Sequence, residues 1–154
     1  TDSVNNLFNF KKFIKQQNVK LFKEKVVSII KEKNNTNLEK IFFRLKSENN
    51  NLLKIDIEGS EYQIIDKIIK FKSSIEMLII EFHWINKNKS LFENSIKQLK
   101  ENFEIIHIHA NNYIEPKDSD YFFDVVEISF VKKSNLVNYE NDYNYQFPFP
   151  TRGQ

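Results

Sequence analysis

The sequence predicts an α/β domain, a mostly parallel sheet with crossover helices that closes in an antiparallel hairpin. Three observations predict it. Short β-rich runs alternate with amphipathic helical stretches from about residue 36 onward. Polar side chains gather at the ends of successive β-rich runs, and the last run follows its predecessor across a loop with no helix between them. Strand, helix, strand is the pattern of right-handed crossovers, which place their helices against the sheet. At 154 residues, with 40% hydrophobic and 14% aromatic content, the chain can bury one sizeable core.

Residues 1–34 read as an N-terminal helix and short-strand region, 35–133 as the sheet domain, and 134–154 as an aromatic and proline tail. The opening stripe of Leu7, Phe10, Phe13 and Ile14 is helical in spacing. In "NVKLFKEKVVSIIKEKNN", Val26, Val27, Ile29 and Ile30 fit a short strand as well as a helix, and β-branching favours the strand. Three helices then start with an S/T-x-x-E/Q capping box: Thr36 with Glu39, Ser60 with Gln63, and Ser90 with Glu93. Each box opens an apolar stripe, formed by Leu38, Ile41, Phe42 and Leu45, then Ile64, Ile65, Ile68 and Ile69, then Phe92, Ile96, Leu99 and Phe103. The strands between and after them are "LLKIDIE", "EMLIIEFHW", "EIIHIHA" and "DVVEISFVKK". The last returns antiparallel beside its predecessor.

Charge and composition exclude several classes. The net charge of +2 divides into +6 over residues 1–50, with 11 Lys+Arg against 5 Asp+Glu, and −4 over residues 51–154. The lysines of the basic half are spread, with Arg44 its one arginine and no Gly, so no nucleic-acid partner is expected. No apolar run approaches the roughly 20 residues that span a bilayer, and no signal peptide opens the chain. With no cysteine there is no disulfide framework. A soluble, cytoplasmic protein is expected.

Alternation along a strand puts Lys54, Asp56 and Glu58 on one face of the first strong run, Glu81 and His83 on one face of the next, and His107, His109 and Asn111 on one face of the third. Ligands of open parallel sheets bind beyond the carboxyl ends of the strands, where such side chains converge. The bland reading is a set of solvated strand ends, with Lys54 paired to Asp56 or Glu81. Three consecutive strands favour a site.

"KIDIEGSE", residues 54–61, closely resembles the K-I-D-[VI]-E-G-[AS]-E signature of the FkbM-type methyltransferases. "NLEKIFFRLKSENNNLL", "LIIEFHW", "HIHANNY" and "VVEISFVKK" resemble further family segments in the same order, so that the resemblance covers about residues 25–133. It implies a Rossmann-like methyltransferase fold and the transfer of a methyl group from S-adenosylmethionine to a hydroxyl of a sugar or natural product. It also implies that Asp56 and Glu58 face the reaction cleft, with Asp56 the candidate contact to cofactor, that Gly59 makes the turn out of the strand, and that Ser60 caps the next helix.

The sequence departs from that family in its glycines. Only Gly59 and Gly153 are present, and neither lies in a cofactor-binding turn after a first strand. The expectation is therefore an incomplete domain, the C-terminal half, whose cofactor-binding half lies upstream of Thr1. Transfer to a hydroxyl requires a base, for which Glu58 and His83 are candidates. Glu81, His107, His109, Asn111 and Asn112 offer donors and acceptors to a polyhydroxylated acceptor. Lys54 is expected to neutralise a buried carboxylate, and Trp84 to wall the cleft or the core. A degenerate, non-catalytic domain that binds a glycan or a partner chain is the alternative. A metal-dependent hydrolase using Glu58, Glu81, His83, His107 and His109 has no recognised ligand spacing behind it, and no metal is expected.

Overall fold

A computed structural model describes residues 22, 24–45, 51–111 and 123–136. The expected opening helix around Leu7 to Ile14, the residue Asn112 and the aromatic tail lie outside them. Two short parallel strands come first, β1 (Lys25–Val26) and β2 (Asn35–Thr36). The strand expected around Val26 to Ile30 is thus only two residues long, and Ile29 and Ile30 are exposed past its end. Helix α1 (Leu38–Leu45) follows. It is held to the β1 side by the Arg44 guanidinium, which grips both oxygens of the Glu24 carboxylate and draws that carboxyl down to about 2.

The main sheet contains β3 (Asn51–Ile55), β4 (Ile75–Phe82), β5 (Phe103–Ala110) and β6 (Val126–Lys132), in the order β3-β4-β6-β5. Strand β3 pairs with β4 in parallel, and β6 runs antiparallel to both of its neighbours. Three strands therefore share one direction, and the predicted hairpin is present. Its consequence was not predicted: β6 inserts between β4 and β5, so these two strands, consecutive in the crossover pattern, are not neighbours in space.

Helices α2 (Ile65–Lys70) and α3 (Lys89–Lys100) carry the crossovers. Period-two alternation sends Ile55, Leu78, Ile80, Phe82, Val126, Ile128 and Phe130 into one buried cluster with Ile65 and Ile68 of α2 and Leu99 of α3. Phe82 meets Phe92 of α3 edge-on at 5.2 Å, and Phe42 of α1 stacks on Phe71 at 4.8 Å. The stripes predicted the core well. The exception in kind is Phe103, fully buried but the first residue of β5 rather than the last turn of a helix.

All three capping boxes are corrected. Thr36 ends β2, and the first helix is capped by Asn37, whose Oδ1 accepts the Lys40 amide at 2.9 Å. Ser60 makes no side-chain cap, because the chain first forms a 3₁₀ turn over Glu61–Gln63 before α2. Ser90 lies inside α3, with Asn88 at the cap position. The cap positions lie one, four and two residues from where the boxes would put them, and only at the first helix does a side chain, Asn37, make the cap, Asn being as good an N-cap as Thr.

No described helix is long and apolar enough to cross a membrane.

Candidate functional site

Strands β3 and β4 end side by side because they are parallel neighbours, so whatever follows Ile55 must meet whatever follows Phe82. Beyond Ile55 the chain turns sharply. Glu58 at φ 52° and Gly59 at φ 93° both adopt the left-handed conformation, and beyond Phe82 so does Trp84 at φ 56°. A non-glycine residue in that region costs on the order of 1–3 kcal/mol and persists only where its surroundings impose it. Here two such residues face each other.

Gly59 is required by its neighbour as well as by its φ. A Cβ at this position would lie 2.7 Å from Trp84 Cδ1 and 2.9 Å from Nε1, so the indole rests directly on the glycine. Trp84 is a cleft wall, 41% exposed, rather than core.

The joint is organised by Glu61, which is completely buried. Its Oε1 accepts the amide of Ile57 at 3.2 Å, the amide of Gly59 at 3.0 Å and Nδ1 of His83 at 3.0 Å. Since the two amides can only donate, Oε1 is an acceptor there, and the imidazole proton sits on Nδ1. The Tyr62 hydroxyl donates to the His83 carbonyl at 2.7 Å, and burial pushes that phenol upward. Sequence reasoning missed Glu61 and Tyr62. The signal was present in the final Glu of "KIDIEGSE", but it lies past the turn, where strand parity no longer applies.

His83 thereby has its Nδ1 fixed and its Nε2 turned to an open cavity of ≈ 290 Å³, lined by Asp56, Glu58, Glu81, His83, Trp84, Asn111 and Val125. The ring is nearly enclosed, with its side chain 8% exposed, while those of Asp56 and Glu58 are 46% and 79% exposed. Nε2 stands 3.8 Å from Asp56 Oδ1 and 3.6 Å from Glu58 Oε2. Asn111 donates to Glu81 Oε1 at 3.2 Å.

Of the expected site residues, Asp56, Glu58, Glu81, His83 and Asn111 come together. His107 and His109 do not. They pair with Ser129 and Glu127 on β6, and both are exposed. The reason is the inserted strand: two strand spacings of about 4.8 Å separate the Glu81 row from His109. Lys54 is corrected too. It binds Glu127 at 2.9 Å, which raises its pKa, and with its side chain 56% exposed it neutralises no buried carboxylate.

Gly59 is the one glycine among the described residues, and the indole of Trp84 closes the space in front of it. The described residues thus fit a small polar ligand in the cavity and offer no glycine turn against which a nucleoside cofactor could lie.

Comparison with family models gives one finding: the methyltransferase FkbM domain matches residues 3–113. That match starts and ends earlier than the 25–133 suggested by the motifs. A comparison with curated proteins returned no match.

Proposed function

The chain belongs to the methyltransferase FkbM family, and from that premise we propose that it serves methyl transfer from S-adenosylmethionine to a hydroxyl of a sugar or other polyhydroxylated acceptor. The carrying observation is the cavity at the ends of β3 and β4, where carboxylates and one oriented imidazole converge. The cofactor would supply the methyl group. Every role proposed for this chain concerns the acceptor.

In this reading Nε2 of His83, a lone pair held in place by Glu61, accepts a hydrogen bond from a hydroxyl of the acceptor beside the reacting one and so orients the acceptor. Asp56 and Glu81, together with Asn111, hold neighbouring hydroxyls, for which acceptor-only carboxylates and an amide are suited. Glu58 projects from its left-handed turn over the cavity and takes the proton as the new C–O bond forms. The glycine-rich cofactor turn is supplied by none of the described residues.

A second reading, a non-catalytic domain that binds a glycan, is favoured by that same lack of a glycine turn. Incubation with methyl-labelled S-adenosylmethionine and a panel of mono- and oligosaccharides separates the two. Label recovered as an O-methyl ether, with release of S-adenosylhomocysteine, supports transfer. Saturable binding of a saccharide with no label transferred supports the second reading and removes the first.

A further inference from the structure

The cavity lining contains three carboxylates, Asp56, Glu58 and Glu81, and no lysine or arginine. The cation nearest in the sequence, Lys54, is already engaged by Glu127. A polar pocket with this lining concentrates negative potential, and the occupant that such a potential selects is a cation. Negative charge alone does not make a site. Here a second feature stands beside it: a histidine ring more than nine-tenths buried, whose Nδ1 proton is taken by Glu61 and whose Nε2 makes no hydrogen bond among the described residues. That nitrogen is aimed into the cavity.

From these observations we infer that Asp56, Glu81 and His83 form a binding site for a divalent cation of the Mn²⁺ class. One ligand atom from each lies within 4.8 Å of the others. Two ligands bound about 2.1 Å from one ion stand about 3 Å apart when adjacent and about 4 Å apart when opposite. The 3.8 Å between His83 Nε2 and Asp56 Oδ1 falls inside that range. A pair at the 4.8 Å limit reaches the opposite-ligand spacing with a movement of under about 1 Å.

The outer partners are in place as well. Metal-bound imidazoles donate their second N–H to a carboxylate or carbonyl, and bound carboxylates are hydrogen-bonded in turn. Glu61 does the first for His83, and Asn111 does the second for Glu81. The donor set decides the metal class. Two carboxylates and one imidazole, with no thiolate anywhere in the chain, suit a hard to borderline ion such as Mn²⁺ rather than a soft one, and the open side of the cavity leaves positions for water or for hydroxyls of a ligand.

The inference deepens the proposed function, since an ion here would replace the direct His83 contact, hold the reacting hydroxyl and make its proton easier for Glu58 to remove. The ion's binding is nevertheless testable without any activity. Mn²⁺ added to the metal-stripped protein should lose its free-ion electron paramagnetic resonance signal saturably at one ion per chain. Electron spin-echo spectra of the bound ion should show a single directly bound imidazole nitrogen. Asp56→Asn, at an exposed position, and Glu81→Gln, a near-isosteric change at a half-buried one, should each weaken binding by at least about tenfold, the loss expected even from an outer partner, with the denaturant midpoint showing that each variant is folded. His109→Ala should change nothing.

Binding that is absent, that shows no nitrogen, or that survives both carboxylate changes overturns the site. Methyl transfer retained by protein that binds no Mn²⁺ overturns the site and leaves the proposed function standing. Mn²⁺ bound through His83 without methyl transfer to any acceptor does the reverse.

Discussion

At the carboxyl ends of β3 and β4 the imidazole of His83 is enclosed on every side but one, whereas on the β5–β6 hairpin the imidazoles of His107 and His109 stand at the surface. Both regions combine histidine with carboxylate on strands of one sheet. In the first, Glu61 lies under the ring and binds two backbone amides as well, so that the turn, the strand end and the imidazole form one unit. In the second, His109 lies across from Glu127, and Glu127 is bound to Lys54 instead. The difference is a buried acceptor that fixes the imidazole in the first region, and residue type alone does not supply that.

The sharpest way to break this contrast is Glu61→Ala. It leaves the amides of Ile57 and Gly59 and Nδ1 of His83 without an acceptor inside the protein, and each stranded buried donor costs about 1–3 kcal/mol. We expect a loss of roughly 3–5 kcal/mol in denaturant unfolding, comparable to breaking a buried charged pair. His107→Ala and His109→Ala should each stay within about 0.5 kcal/mol, as surface changes do. Equal losses at both ends of the sheet would erase the distinction.

Glu58→Gln separates chemistry from structure within the first region. Its side chain is 79% exposed and stands 3.6 Å from His83 Nε2, so unfolding should change by no more than about 0.5 kcal/mol, as surface changes do, while turnover falls by about 10²- to 10⁴-fold, the usual worth of a general base. Turnover and denaturant midpoint must be measured on the same preparation. Full activity in this variant would return Glu58 to the rim of the cleft.

Gly59→Ala has the next effect. The added Cβ must displace the Trp84 indole and occupy a φ of 93°, and we expect a cost of about 1–3 kcal/mol together with a shift in the fluorescence of Trp84, the chain's single tryptophan. An unshifted emission spectrum would mean that the indole does not rest on the glycine in solution.

Much of the fold was legible because periodicity reports burial. The helical spacing of Ile64, Ile65 and Ile68 predicted a buried face that the structure contains. The order of strands was not legible, since the pairing of β6 with β4 is a contact between segments some fifty residues apart that no local pattern encodes. That single fact explains why Glu81 and His83 reach the cavity while His107 and His109 miss it. Asp56, Glu58, Glu81, His83 and Asn111 were found by parity at strand ends. Glu61 escaped the same rule because it acts from a 3₁₀ turn, and Lys54 was misread because its face, though shared with Asp56, is open to solvent on this strand.

Lys54 carries the smallest effect and the most specific test, because its ion pair with Glu127 is a link from β3 across β4 to the hairpin. The pair is partly exposed, so it gains little over solvation and is screened by salt. Its pH dependence has a definite sign. Glu127 raises the folded-state pKa of the amine, so the pair's contribution is fully present below the unfolded-state lysine pKa and is lost as pH rises through the raised one. Lys54→Met should therefore melt slightly below the wild type at neutral pH and low salt. The gap should be flat across neutral pH, close in strongly alkaline buffer, and close again near 1 M salt, where the screening length is about 3 Å. A large gap that persists in high salt would mean that Lys54 supports buried charge after all, and the two regions would then be one electrostatic unit rather than two.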